Sequence, residues 1–281
     1  MAEPLSVIEP QGRPSRQPGR MSQTKVTLSE LLELSAEWAQ EAGALTLQHF
    51  GGTLSAETKG DGTPVTVADR AAESFLRERI GERFPEHGIL GEEFGETNEG
   101  ASVRWILDPI DGTKSFVRGV PLYGVLVGIE VGGEPAVGVA HFPVLGETVA
   151  GALGEGCFWN GGPARISSIS TVAESTLLTS DPKVLLAHPM TPGWDSLVRK
   201  AALVRSWGDC YGHILVATGR AEIMVDPILA PWDAAPFVPI LSEAGGMFTD
   251  KDGNAGVHGG SGISTNGTLH EEVLRTLSGS G

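Results

Sequence analysis

Cysteine is scarce, with only Cys157 and Cys210 among 281 residues. Two cysteines make no disulfide framework, so a reducing, cytoplasmic location is expected. No apolar run approaches the roughly 18 residues of a membrane-spanning helix. The first twenty residues lack an apolar central region, so no signal peptide is expected. No G-x-x-x-x-G-K-[ST] run occurs, which argues against nucleoside-triphosphate binding, and no H-E-x-x-H spacing points to zinc. Positive charge is also short: 20 Lys and Arg face 35 Asp and Glu, a net charge of −15. Such a chain is a poor partner for nucleic acid or an anionic membrane. The acidity has two readings, plain solubility or a cleft that collects cations.

What remains is ordinary globular material, 40% hydrophobic and 20% charged, long enough for one large domain or two intimately packed ones. Residues 1–23, with four prolines and Arg13, Arg16 and Arg20, read as a disordered tail. Patterned sequence begins near Met21, which suggests a later start site. Thr27-Leu28-Ser29-Glu30 reads as a capping box for a helix to about Phe50. "ETKGDGTPVT" is a glycine-rich turn, and a second helix is expected from Val67 to Phe84. Short β-like runs follow from Val103, two of them joined by a Gly132-Gly133-Glu134 hairpin. The second half alternates: strands at "STLLTS", "LVRSWG" and "AEIMVDP", helices at 192–203, at 209–218, from Trp232-Asp233, and at 268–277. Pro239 should kink or break the third of these. The division expected is an N-terminal α/β layer over 24–160 and a C-terminal one over 161–281, stacked together.

"WILDPIDGTKSF" carries the chemistry. An apolar strand ends in Asp108 and Asp111, with stiff Pro109 between them and a helix opening near Gly112-Thr113. Paired carboxylates repel unless something binds them. The Ile110 carbonyl is a further hard ligand, and amides at a helix start can take a phosphate. Hard oxygens beside an anion site suit Mg²⁺. The bland reading is a helix cap and a turn aspartate. "GEEFGE" adds Glu92 and Glu93 after a short apolar run, and "PWDAAP" adds Asp233 at another helix start. Alone, each is a solvated charge or an N-cap; together they bring acids from three places to one cleft.

"GEEFGE", "WILDPIDGTKSF" and "PWDAAPFVPILSEAGG" resemble, in order and spacing, the three signatures of the inositol monophosphatase superfamily, and the similarity spans 25–278. The resemblance implies the layered αβαβα sandwich of the inositol monophosphatase and fructose-bisphosphatase type, and a magnesium-dependent, lithium-sensitive phosphatase. It implies that Glu92, Asp108 and the Ile110 carbonyl hold one Mg²⁺, that Asp108, Asp111 and Asp233 hold a second, and that a third, looser ion sits near Glu92. It makes Thr113 and Glu92 the groups that orient and deprotonate the attacking water. The match of "PVTVAD" makes Asp69 the partner of Thr113. Gly112 and Thr113 would bind phosphate, Lys59 would lie in a loop that helps close the site, and a homodimer is implied.

Fold and metals leave the ester open. Lys114, Ser115 and Arg118 depart from the usual inositol pattern, and "VRSWGDCYGHILVATGRAEIMVDP" resembles the histidinol-phosphate phosphatase branch. Asp209 and Asp226 would lie on the side of the leaving alcohol, where acids suit an ammonium and an imidazole. Asp209 could equally be the N-cap of the 209–218 helix, and Arg205 could bind phosphate or pair with a nearby acid. The expectation is a Mg²⁺-dependent hydrolase of L-histidinol phosphate. A broad inositol-1-phosphate phosphatase is the alternative within the fold, and a non-catalytic acidic scaffold is the alternative outside enzymes.

Overall fold

The computed structural model describes residues 26–51, 57–58, 64–65 and 67–279. The expected disordered tail over 1–23 and the loop with Lys59 lie outside the described residues. Helix α1 (Leu28–Leu47) opens as its sequence demands, with Thr27 Oγ1 accepting from the Glu30 N–H at 3.2 Å. The Glu30 carboxylate turns to Arg83, 2.6 Å away. A short antiparallel pair, β1 (Glu57–Thr58) and β2 (Pro64–Val65), precedes α2 (Val67–Arg83).

The first large sheet is built from β3 (Gly88–Gly91), β4 (Gly95–Thr97), β5 (Val103–Asp111), β6 (Gly124–Val131), β7 (Glu134–Phe142), β8 (Glu147–Ala152), β9 (Gly156–Trp159) and β10 (Gly162–Pro163), with α3 (Thr113–Phe116) inserted after β5. Its order is β10-β9-β8-β7-β6-β5-β3-β4. The β6–β7 hairpin turns at Gly132 and Gly133, with φ of 66° and 88°, as a tight turn requires. The rest of the chain contains β11 (Thr176–Leu178), α4 (Pro182–Leu185), α5 (Thr191–Lys200), β12 (Leu203–Arg205), α6 (Cys210–Ala217), β13 (Ile223–Asp226), α7 (Pro231–Ala234), α8 (Phe237–Ala244), β14 (Met247–Thr249), β15 (Gly262–Thr265) and α9 (His270–Leu277). Its sheet runs β12-β11-β13-β15-β14.

Three apolar cores hold the layers. Leu31, Leu76 and Ile80 pack α1 and α2 onto one face of the first sheet. Ile214, Phe237, Ile240 and Leu241 fill the space between the sheets. Trp194, Leu197, Val273 and Leu277 seal the outer face of the second sheet. Strand alternation explains the two-sided second sheet: Leu177, Ile223 and Val225 face outward, and Leu178 and Met224 face inward. The result is the αβαβα sandwich.

Some expectations move. The helix expected over 192–203 ends at Lys200, because Leu203 already belongs to β12. The expected break at Pro239 falls earlier: Pro236 occupies the N-cap of α8 and separates it from α7. Pro239 then lies in the first turn of α8, where no intrahelical bond needs its missing N–H.

A row of glycines sets where that break lies. Gly128, Gly138 and Gly151 are paired neighbours on β6, β7 and β8. A Cβ at Gly128 would lie 2.5 Å from the Ala235 Cβ, one at Gly138 would lie 2.0 Å from the Pro236 carbonyl oxygen, and one at Gly151 would lie 3.1 Å from the Ile240 Cα. The missing side chains leave a groove across three strands, and the α7–α8 junction lies in it. Gly138→Ala should lift that junction and cost about 1–3 kcal/mol, in the range of an overpacked core. Urea unfolding measures this, and an unchanged midpoint would show that the groove has slack.

Candidate active site

A regular strand points residues i and i+3 to opposite faces. Asp108 and Asp111 escape this through a bulge. Asp108 pairs with Leu126 and Asp111 with Gly124, so β5 has one residue more than β6 across this stretch. Pro109 sits in the bulge, where its lack of an N–H costs no ladder bond. The Ile110 N–H donates to Asp108 Oδ1 at 3.0 Å and tightens the turn. Both acids thus face the same cleft. The chain then reaches Gly112, whose φ of 82° is left-handed, and α3 begins.

Asp233 arrives from α7. It is the third residue of that helix, and its Oδ2 accepts from the Ala230 N–H at 2.8 Å, which fixes its rotamer. Oxygens of Asp108, Asp111 and Asp233 lie within 4.8 Å of one another. Asp108 is 2% exposed. Burial, then the charges of Glu92, Asp111 and Asp233, hold its carboxyl well above the usual range. Burial, then Asp209 and Asp233, does the same to Asp111, although the Cys210 N–H donates to its Oδ2 at 2.6 Å. Burial pushes Asp233 up to about 6. Desolvated acids crowded together match the donor set of a hard divalent metal.

Glu92 follows β3, with its N–H bonded to the Leu107 carbonyl at 3.1 Å. It stands beside Asp108 rather than inside the aspartate triple. Sequence reading missed the residue that holds this turn. Glu73 of α2 accepts from the Glu93 N–H at 2.7 Å and the Phe94 N–H at 3.3 Å, and pairs with Arg77 at 2.7 Å. Gly91 makes room for it, since a Cβ there would lie 2.0 Å from Glu73 Oε1. Asp69, one turn earlier on the same helix, is buried, and its neighbour Ala68 packs with Ile110, Phe116 and Tyr123. The Thr113 hydroxyl donates to the Ile110 carbonyl at 3.1 Å. The amides of Gly112 and Thr113 open α3, where a helix offers no internal acceptor.

A cavity of about 230 Å³ opens beside the acids, lined by Asp111, Lys114, Ser180, Asp209, Asp226 and Asp233 among others. Asp226, at the end of β13, is 3% exposed. Asp209 stands at the N-cap position of α6, but its side chain makes no capping bond; the Cys210 N–H goes to Asp111 instead. The Asp209 carboxylate faces Gly112, where a Cβ would lie 3.2 Å from its Oδ2. Burial and then Asp226 raise its pKa, against the pull of Lys114. Arg205 is exposed, donates to the Val204 carbonyl at 2.8 Å and lies 6.0 Å over Trp207; it does not line the cavity. Lys114 and Ser180 are cavity residues for which the sequence supplied no clear role.

The inositol monophosphatase family pattern matches residues 27–281. A histidinol-phosphatase of Chlorobaculum parvum is 46% identical, over 88% of this chain and 96% of that one. A histidinol-phosphatase of Mycobacterium tuberculosis is 40% identical, over 88% and 97%. Among solved structures, an inositol monophosphatase of Thermotoga maritima is 30% identical and superposes with a TM-score of 0.82, over 89% of this chain and 97% of that one.

The crowded acids set a pH dependence. As pH rises above 3.8 the unfolded chain ionises first, so the folded state loses stability until Asp233 itself ionises at about 6. Asp108 and Asp111 extend the decline upward. Asp233→Asn keeps the acceptor for Ala230 and removes the charge. Without metal it should be more stable than wild type above pH 6, by on the order of 3 kcal/mol, and the gap should vanish near pH 4. Thermal melts in chelator across that window test the sign; a variant less stable than wild type at neutral pH would refute it.

Proposed function

The chain belongs to the inositol monophosphatase family, and from that premise we propose that it hydrolyses L-histidinol phosphate to L-histidinol and phosphate, using Mg²⁺. That it is a phosphomonoesterase follows from the family and from its relatives. The single observation that carries the substrate is the second acid pair: Asp209 and Asp226 line the same cavity as Asp111 and Asp233. Inositol offers hydroxyls there, whereas histidinol offers an ammonium and a titratable imidazole, which two carboxylates attract.

Glu92, Asp108, the Ile110 carbonyl, Asp111 and Asp233 are the groups that would hold two Mg²⁺, and the family resemblance adds a third, looser ion near Glu92. When bound, the cations supply neutralising charge for the phosphate, a lowered water pKa and stabilisation of the leaving oxygen. The chain supplies the rest. The Gly112 and Thr113 amides hold phosphate oxygens. Thr113 and Glu92 orient the attacking water and Glu92 accepts its proton, with Asp69 as the partner of Thr113. Asp209 and Asp226 fix the leaving alcohol through its positive end. Most of the acceleration is then positioning and electrostatics. The family resemblance extends this reading to lithium sensitivity and a homodimer.

Two variants test it. Asp108→Asn should abolish phosphate release at saturating Mg²⁺ while leaving the fold intact. Asp209→Asn should cost about 1–3 kcal/mol in kcat/KM for histidinol phosphate, the value of a charged hydrogen-bond partner. Turnover of inositol 1-phosphate and glycerol 2-phosphate should change little. A wild type that prefers inositol phosphate would overturn the substrate and leave the metal chemistry standing.

A further inference from the structure

Asp209 and Asp226 come from different elements, and one side chain joins them. Strand β11 runs parallel to β13, with Leu177 opposite Ile223 and Leu178 opposite Met224. Continuing that register beyond the ladder sets Ser180 opposite Asp226, and the Ser180 hydroxyl donates to Asp226 Oδ2 at 2.7 Å. From the other side the chain leaves β12 and returns over Ser180. The Asp209 N–H donates to Ser180 Oγ at 2.7 Å. The approach depends on Gly208, where a Cβ would lie 2.1 Å from the Ser180 Cα.

A serine hydroxyl has one proton to give. Accepting from Asp209 and donating to Asp226, Ser180 has its proton direction fixed. Asp209 needs such a hold, because its backbone, at φ 51° and ψ −154°, lies where only glycine rests without strain. Behind Asp226 stands His213, with Nε2 3.4 Å from Oδ2, Nδ1 2.7 Å from Ser264 Oγ, and its ring stacked on Phe237. Asp226 is thus approached by Ser180 and His213 on Oδ2, which leaves Oδ1 for a ligand. No hydrogen bond joins Ser180 to Asp108, Asp111 or Asp233 among the described residues.

We propose that Ser180 is a positioning residue for substrate selectivity, tying Asp209 and Asp226 into one rigid anionic pair that recognises the cationic end of the leaving alcohol. It has no part in the phosphate chemistry. This rests on, and deepens, the histidinol phosphate reading. The hydroxyl holds the Asp209 main chain against the Asp226 carboxylate, and the placement it gives the two acids is what a ligand with two basic nitrogens is matched to.

The test compares wild type, Ser180→Ala and Ser180→Thr, with L-histidinol phosphate and glycerol 2-phosphate at saturating Mg²⁺. In Ser180→Ala, kcat/KM for histidinol phosphate should fall about tenfold, as for loss of one hydrogen bond to a charged group, while glycerol 2-phosphate stays within about twofold. Ser180→Thr restores the hydroxyl and should recover part of the loss. Inhibition by L-histidinol should weaken in Ser180→Ala, and inhibition by inorganic phosphate should not. Equal losses on both esters would make Ser180 a general scaffold residue and overturn the proposal. Should Ser180→Ala not fold, Ser180→Cys, similar in size and weaker as a donor, must shift selectivity in the same direction or the proposal fails. A wild type without preference for the cationic ester overturns the substrate reading and this inference together; a wild-type preference that survives in Ser180→Ala overturns this inference alone.

Discussion

Repulsion among buried carboxylates is the constraint on which the rest of the structure depends. Asp108, Asp111 and Asp233 stand within 4.8 Å of one another in a cleft that raises the pKa of each. Left to itself a chain would swing such groups apart into water. Each surrounding device prevents one escape. The bulge at Pro109 turns both β5 acids to one face. The Ala230 amide pins Asp233, the Cys210 amide pins Asp111, and Glu73 grips the turn that carries Glu92. The fold spends stability on holding these acids together, the usual relation between a strained site and the scaffold around it.

Legibility in the sequence follows distance along the chain. The three acidic motifs, α1 with its Thr27 cap, α2 and the Gly132-Gly133 hairpin could all be read, because each is specified by residues close together. Strands β14 and β15 escaped notice, being short and separated by a glycine-rich loop with no periodicity to betray them. By its local effect alone, Pro239 predicts the break between α7 and α8. It occurs at Pro236, where the first sheet has a groove to receive it. Glu73 looked like any surface glutamate of an amphipathic helix. Its role depends on Gly91, which is near only in space.

The cavity draws on both sheets. The first contributes Asp111 at the end of β5, and the second contributes Asp226 and Ser180 at the carboxyl ends of neighbouring parallel strands. On the proposed reading, the first sheet is the part concerned with phosphate and the second the part concerned with the alcohol. Related enzymes on this fold could then exchange one alcohol for another through residues near 180, 209 and 226 without disturbing the acids that face phosphorus. Arg205 fits this picture poorly as a substrate group, since it packs over Trp207 outside the cavity.

The glycine groove has a consequence for the order in which the chain is made. Gly128, Gly138 and Gly151 leave the ribosome soon after β5, but the Ala235-Pro236 segment that lies against them follows much later. During that interval Asp108 and Asp111 have no third aspartate beside them, and the groove is an open trough across the sheet. A nascent chain therefore cannot assemble the acidic triple, however well its first sheet has formed. Assembly of the acidic triple is tied to near-completion of synthesis, so an abortive product lacking the C-terminal elements carries the two β5 acids without their third.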